Sequence, residues 1–200
     1  GELGTRGSVK QREIEARNAS EILGIDTREN LGIRDGNIIN NHANRLKIIK
    51  VIRKYRPKII FFPHYYDRHP DHYNTHYLIK EAAFYSGLEK IKTPGLKAYR
   101  AKRNIYYMQT YSFEPNIIFD ISETFKTKME AVKCFSTQFF SGSTKSKKVA
   151  ETFISTKAFM DYIEARSKFY GFRIGTAYGE AYFAEENIKI NSDTLFKITG

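Results

Sequence analysis

Six consecutive residues, Asp67-Arg68-His69-Pro70-Asp71-His72, bring two imidazoles, two carboxylates and a guanidinium together. Imidazole is the side chain that can titrate, donate, accept or ligate near neutrality, so a pair three residues apart has three readings. It can ligate a metal. It can do acid-base work, with Asp71 or Asp67 orienting a ring. Or it can decorate a helix N-terminus, where carboxylates favour the dipole, which is the commonest fate of an arbitrary His-x-x-His. The residues alone leave all three open. His72 and His76 share a helix face as a zincin pair would, but Tyr73 stands where that motif needs glutamate, so His76 reads as a surface or packing residue. His42 and His64 have no partner visible in sequence. A catalytic zinc takes three protein ligands and this segment offers one or two.

The elements that must hold these groups are legible around them. Proline fixes its own φ and pushes the preceding residue out of the α region, so His69 is expected extended and Pro70 first in a helix that stops at Gly87. The apolar run Lys58 to Phe62 reads as the strand before it, which places both histidines at a strand's carboxyl end, where open α/β sheets bind ligands. Ser8-Val9-Lys10-Gln11 is a capping box for a helix to about Leu23. Further helices are expected near Asn41 to Tyr55, from Ser122 to about Phe135, and over Thr156 to Tyr170. Strands are expected at Thr27 to Leu31, Asn104 to Met108, Asn116 to Ile121 and Ala177 to Phe183, with Asp35-Gly36 a turn and Phe139 to Lys148 a loop. Strands alternating with helices imply a Rossmann-like α/β fold, a mostly parallel sheet flanked by helices, in one domain over residues 1–200.

At 200 residues and 41% hydrophobic content the chain can bury a core. No apolar run approaches the roughly 18 residues of a membrane span, and the N-terminal residues lack a signal peptide's apolar segment, so no membrane partner is expected. The single cysteine, Cys134, cannot form an internal disulfide and fits a reducing, cytoplasmic setting. The net charge of +11 raises a second reading, a basic nucleic-acid-binding domain. The basic residues are dispersed, however, and the groups at Lys90 to Arg103 and Lys145 to Lys148 are not interleaved with stacking aromatics, so no specific nucleic-acid partner is expected. A serine hydrolase is discounted because no Gly-x-Ser-x-Gly elbow is present.

Taken in order, Gly1-Glu2-Leu3-Gly4-Thr5-Arg6-Gly7, Arg28-Glu29-Asn30-Leu31, Asp35-Gly36, Asp67 to His72, Ser136-Thr137-Gln138-Phe139 and Tyr178-Gly179-Glu180 resemble the PIG-L/LmbE zinc deacetylases, most closely the bacillithiol-biosynthesis branch. The resemblance implies zinc-dependent hydrolysis of the acetamide of an N-acetylglucosamine conjugate, in that branch N-acetylglucosaminyl-malate. It implies that His72 ligates Zn2+ and that His69 is a protonated imidazole at the tetrahedral oxyanion or the departing amine, with Asp71 holding it charged. It places Arg12, Arg68, Tyr178 and Asp35 at the substrate, the arginine forks suiting a malate carboxylate, and it implies a homo-oligomer.

The family's opening motif, His-Pro-Asp-Asp or a close variant, supplies two more zinc ligands and the general base, and no such motif occurs in these 200 residues. The expectation is therefore a chain lacking the family's first strand and helix, with weak zinc binding and negligible turnover that an upstream segment restores.

Overall fold

The computed structural model describes residues 6–140, 151–187 and 189–192. The first helix, α1 (Val9–Ile22), carries the expected capping box: the Ser8 hydroxyl accepts the Gln11 N–H at 3.3 Å while the Gln11 side chain accepts the Ser8 N–H at 2.9 Å. The second, α2 (His42–Tyr55), is capped by Asn41. Strand β1 (Ile59–Pro63) leads into α3 (Pro70–Ser86), whose N-cap is His69, extended at φ −90° and ψ 126°, with Pro70 in the first turn. Then come β2 (Arg103–Tyr107), β3 (Ile117–Asp120), α4 (Phe125–Lys133), a turn of 3-10 helix at Phe153–Ser155, α5 (Lys157–Arg173) and β4 (Gly179–Phe183).

Two expected boundaries move for local reasons. Helix α4 starts after Thr124 because the Ser122 hydroxyl donates to Asp120 and accepts the Tyr178 N–H, which takes it away from capping. Residues Thr27 to Leu31 form no strand: Glu29 pairs with Lys54 and Tyr55, and Lys47 donates to the Leu31 carbonyl, so the segment is strapped along α2. The loop expected from Phe139 to Lys148 falls largely outside the described residues.

The sheet order is β1-β2-β4-β3. Strands β1 and β2 pair in parallel, with Phe61 opposite Ile105, whereas β4 pairs antiparallel to both β2 and β3. Three strands therefore share a direction, as expected of an α/β fold, yet only one adjacent pair is parallel. Two helices separate β3 from β4, and α5 passes into β4 through the tight turn 174–178, so β4 enters the sheet reversed. That turn is possible because α5 touches β4 backbone to backbone: a Cβ on Gly171 would lie 2.7 Å from the Tyr178 nitrogen, and one on Gly179 2.7 Å from the Gly171 nitrogen.

The core lies on the sheet face covered by α3 and α5. Phe62, Tyr106 and His76 pack ring to ring at 4.7–5.3 Å, and Met108, Tyr170 and Ala181 continue the layer with Phe113 and Ile118. His76, fully buried, donates from Nδ1 to the Pro63 carbonyl at 2.9 Å, so it is a packing residue as its surroundings in sequence suggested. His64 is buried too, stacked on Phe113 at 4.2 Å. Burial holds both rings below the ordinary histidine value, so both are neutral. At the far end of α3, the buried Arg53 guanidinium donates to the carbonyls of Ser86, Leu88 and Ile91 and to the Thr93 hydroxyl, tying the helix terminus to the segment that follows it.

Candidate active site

Local rules put the α3 N-terminus at the carboxyl edge of β1, and a cleft of about 700 Å³ opens there. One wall is the start of α3, with Arg68, His69, Asp71 and His72. Facing it are Arg6 and Arg12 from the start of α1, Asp35 and Gly36 from the preceding loop, Thr110 after β2, Thr137 and Gln138 after α4, and Thr152 to Ile154.

The rings of His69 and His72 lie stacked, 4.8 Å between centroids and 27° apart in plane. Their hydrogen bonds assign them different states. His72 donates from Nδ1 to the Asp67 carboxylate at 2.8 Å, which leaves Nε2 as the nitrogen available to a ligand. Asp67 is itself almost wholly buried and accepts the backbone N–H groups of His69 at 3.1 Å and Thr110 at 2.8 Å. Burial alone would raise its pKa, but these N–H donors and the His72 ring outweigh burial and hold the carboxyl below the usual carboxylate range. A buried carboxylate behind an imidazole fixes the ring's tautomer and orientation.

His69 is turned the other way. As the helix N-cap its Nδ1 accepts the Asp71 N–H at 3.2 Å, so a proton on this ring sits on Nε2. The Asp71 carboxylate does not reach it. Its Oδ2 accepts the Gly36 N–H at 2.6 Å, pinning the turn that brings Asp35 to the cleft. The expectation that Asp71 keeps His69 charged is therefore corrected: the helix terminus engages Nδ1 as an acceptor, and the carboxylate that orients an imidazole is Asp67, on His72.

Arg12 is mostly buried. Its Nη2 donates to the Arg6 carbonyl at 2.9 Å, Glu15 lies 3.7 Å from Nη1, and among the described residues Nε and Nη1 have no hydrogen-bond partner, nor has Arg6 Nε. Burial lowers the pKa of Arg12, with Arg6 acting in the same direction, while Glu15 and Asp35 attract its charge. Arg68 lies with its guanidinium 5.0 Å over the Phe153 ring. A cleft with donor-rich guanidinium groups opposite an oriented imidazole pair can bind an anionic or hydroxyl-rich molecule and donate a proton to it.

Six of the seven residues singled out in the sequence, Arg12, Asp35, Arg68, His69, Asp71 and His72, thus share one cleft. Tyr178 does not: its ring stacks on Phe125 at 3.8 Å and 6°, away from the cleft wall. Thr137 and Phe153, which line the cleft, and Glu15, which holds Thr137, were missed, because only folding brings them together; the Ser136-Thr137-Gln138 string was the one signal. The zinc expectation meets a limit in the donors. Among the described residues no group of three or more His, Cys, Asp or Glu converges on a point, so they fit one arm of a zinc site, His72, and not a whole one.

Residues 1–83 match the PIG-L family, described as GlcNAc-PI de-N-acetylase. The matched stretch ends inside α3 and includes the histidines. The chain is 31% identical over 150 residues to a diacetylchitobiose deacetylase of Thermococcus kodakarensis, an alignment covering 70% of this chain and 56% of that protein, so the chain spans little more than half of that relative. The fold is shared with the crystal structure of the conserved protein TT1542 from Thermus thermophilus, at TM-score 0.83 and 29% identity, over 96% of this chain and 80% of that one. It is shared also with an N,N'-diacetylchitobiose deacetylase from Pyrococcus horikoshii, at TM-score 0.73 and 24% identity, over 92% and 68%. The chain is thereby similar to the PIG-L family over its first 83 residues and to a diacetylchitobiose deacetylase over 70% of its length.

Proposed function

We propose that this chain carries the proton-handling and substrate-binding side of a zinc-dependent N-deacetylase that releases acetate from an N-acetylglucosamine conjugate with an acidic aglycone, N-acetylglucosaminyl-malate being the specific candidate. The observation that carries the proposal is the stacked His69–His72 pair, each ring engaged through Nδ1 but in opposite hydrogen-bond roles, lining one cleft with Arg6, Arg12 and Arg68.

In this reading His72 offers Nε2 to the metal, and the remaining ligands lie outside the described residues. Zinc, when bound, polarises an acetamide carbonyl and activates water. His69 donates from Nε2 to the charge that develops on the carbonyl oxygen or to the departing amine, which is where a positioned donor helps most. Arg12 and Arg68 hold the carboxylates of the aglycone. Two of the similar proteins are deacetylases of diacetylchitobiose, a neutral sugar. The donors left over on Arg6 and Arg12 favour an acidic one here.

The test is acetate release by the product of the complete gene, with N-acetylglucosaminyl-malate and diacetylchitobiose compared. The acidic conjugate is expected to be preferred, turnover to survive moderate salt, and chelation to abolish it until zinc is restored. His72→Ala should lose bound metal, whereas His69→Ala should keep the metal and lose on the order of 100-fold in kcat. Unchanged turnover in both variants, or tight salt-sensitive nucleic-acid binding with no acetate released, would overturn the proposal.

A further inference from the structure

A glutamate in the second turn of a surface helix is ordinarily solvated, but Glu15 is 6% exposed and satisfied almost entirely from one distant turn. Its Oε1 accepts the Thr137 N–H at 2.7 Å and the Ser136 hydroxyl at 3.2 Å, and its Oε2 accepts the Thr137 hydroxyl at 2.8 Å. Burying a carboxylate costs free energy unless its lone pairs are filled, and here the turn that fills them lines the cleft. The same carboxylate stands 3.7 Å from Arg12 Nη1, close enough to hold its charge and too far to occupy its donors. Arg12 Nε and Nη1 are consequently kept in place without an acceptor among the described residues.

The joint is tight on its other side. Gly7 has φ +77°, and a Cβ there would lie 2.8 Å from the Thr137 hydroxyl oxygen, so Thr137 is wedged between the Gly7 backbone and Glu15. The α1 wall and the Thr137–Gln138 wall of the cleft therefore have their spacing set through one side chain.

We propose that Glu15 is a positioning residue: it fixes the Arg12 fork and the Thr137–Gln138 wall at the separation that receives the acidic end of the substrate. The last clause rests on the acidic-conjugate reading above. Pure electrostatics predicts the opposite sign, since removing a carboxylate beside Arg12 strengthens anion binding unless geometry dominates.

The experiment reads Arg12 directly. Its 15Nε–H NMR cross-peak, assigned by loss in Arg12→Lys, is compared in the wild type, Glu15→Gln and the milder Thr137→Val, each checked for a cooperative melt, and each titrated with L-malate and with neutral N-acetylglucosamine. The expected result in Glu15→Gln is a peak exchanging as a free guanidinium does, malate binding about tenfold weaker, and N-acetylglucosamine binding unchanged, with Thr137→Val intermediate. An Arg12 peak unaltered in both variants, or malate binding that tightens in Glu15→Gln, overturns the positioning role. A wild type that ignores malate while its Arg12 peak still depends on Glu15 supports the positioning and defeats the acidic-conjugate reading instead.

Discussion

Asp67→Asn asks whether the imidazole geometry is held from behind. The wild-type carboxylate accepts four hydrogen bonds, two on Oδ1 from the His69 N–H and the His72 ring, and two on Oδ2 from the Thr110 N–H at 2.8 Å and, more weakly, the Tyr111 N–H at 3.4 Å. An amide of the same shape keeps one acceptor oxygen. Oriented to serve the two histidine donors, it turns its NH2 against Thr110; the reverse orientation loses both histidine bonds. The better choice orphans one buried N–H, worth about 1–3 kcal/mol, and weakens two charge-assisted bonds by roughly 0.5–1 kcal/mol each. The sum is about 2–5 kcal/mol, or a fall in Tm on the order of 10 °C for a chain of this size. Urea denaturation supplies the free energy, and 15N NMR of His72 reports the tautomer, which is expected to shift from all Nδ1–H toward a mixture. A loss below about 0.5 kcal/mol with an unaltered His72 tautomer would refute the argument that this buried acceptor orients the ring.

Stability should fall as pH is lowered through the ordinary histidine value of 6.5, because His64 and His76 are held below it and stay neutral in the fold while the unfolded chain takes up protons. The expected slope is about 1–2 kcal/mol per pH unit, read from urea midpoints at pH 7.5 and 5.5; a flat profile would contradict the burial assigned to these rings. Arg53→Met should cost about 3 kcal/mol and speed hydrogen exchange over residues 86–96, since four acceptors lose their shared donor; unchanged exchange there would show that Arg53 does not hold the end of α3.

What could be read from the sequence was what local chemistry decides. The Ser8 capping box and the His69-Pro70 entry to α3 depend on residues a few positions apart, and the helices begin where those residues put them. Six residues that line the cleft were singled out because the chain order of the motifs carried them. Pairing over long separations was not legible. Nothing near residue 15 announces that its carboxylate answers to residue 137, and no periodicity in Gly179 to Phe183 tells that it reverses direction between β2 and β3. Asp71 and Asp67 are chemically alike and four residues apart. Only the positions of Gly36 and His72 in space decide which one latches a loop and which one orients a ring.

The insertion of β4 between β2 and β3 also sets the order in which the molecule can be made. During synthesis β1 and β2 can join once residue 107 has left the ribosome, but β3, complete by residue 120, has no neighbour among the described residues until 179–183 emerge. At roughly 5–20 residues per second that is an interval of several seconds in which an apolar strand edge waits unpaired, the kind of edge chaperones protect and aggregation exploits. Substitutions that slow the closing turn at 174–178 should therefore lower the yield of soluble protein more than they lower the stability of what has already folded.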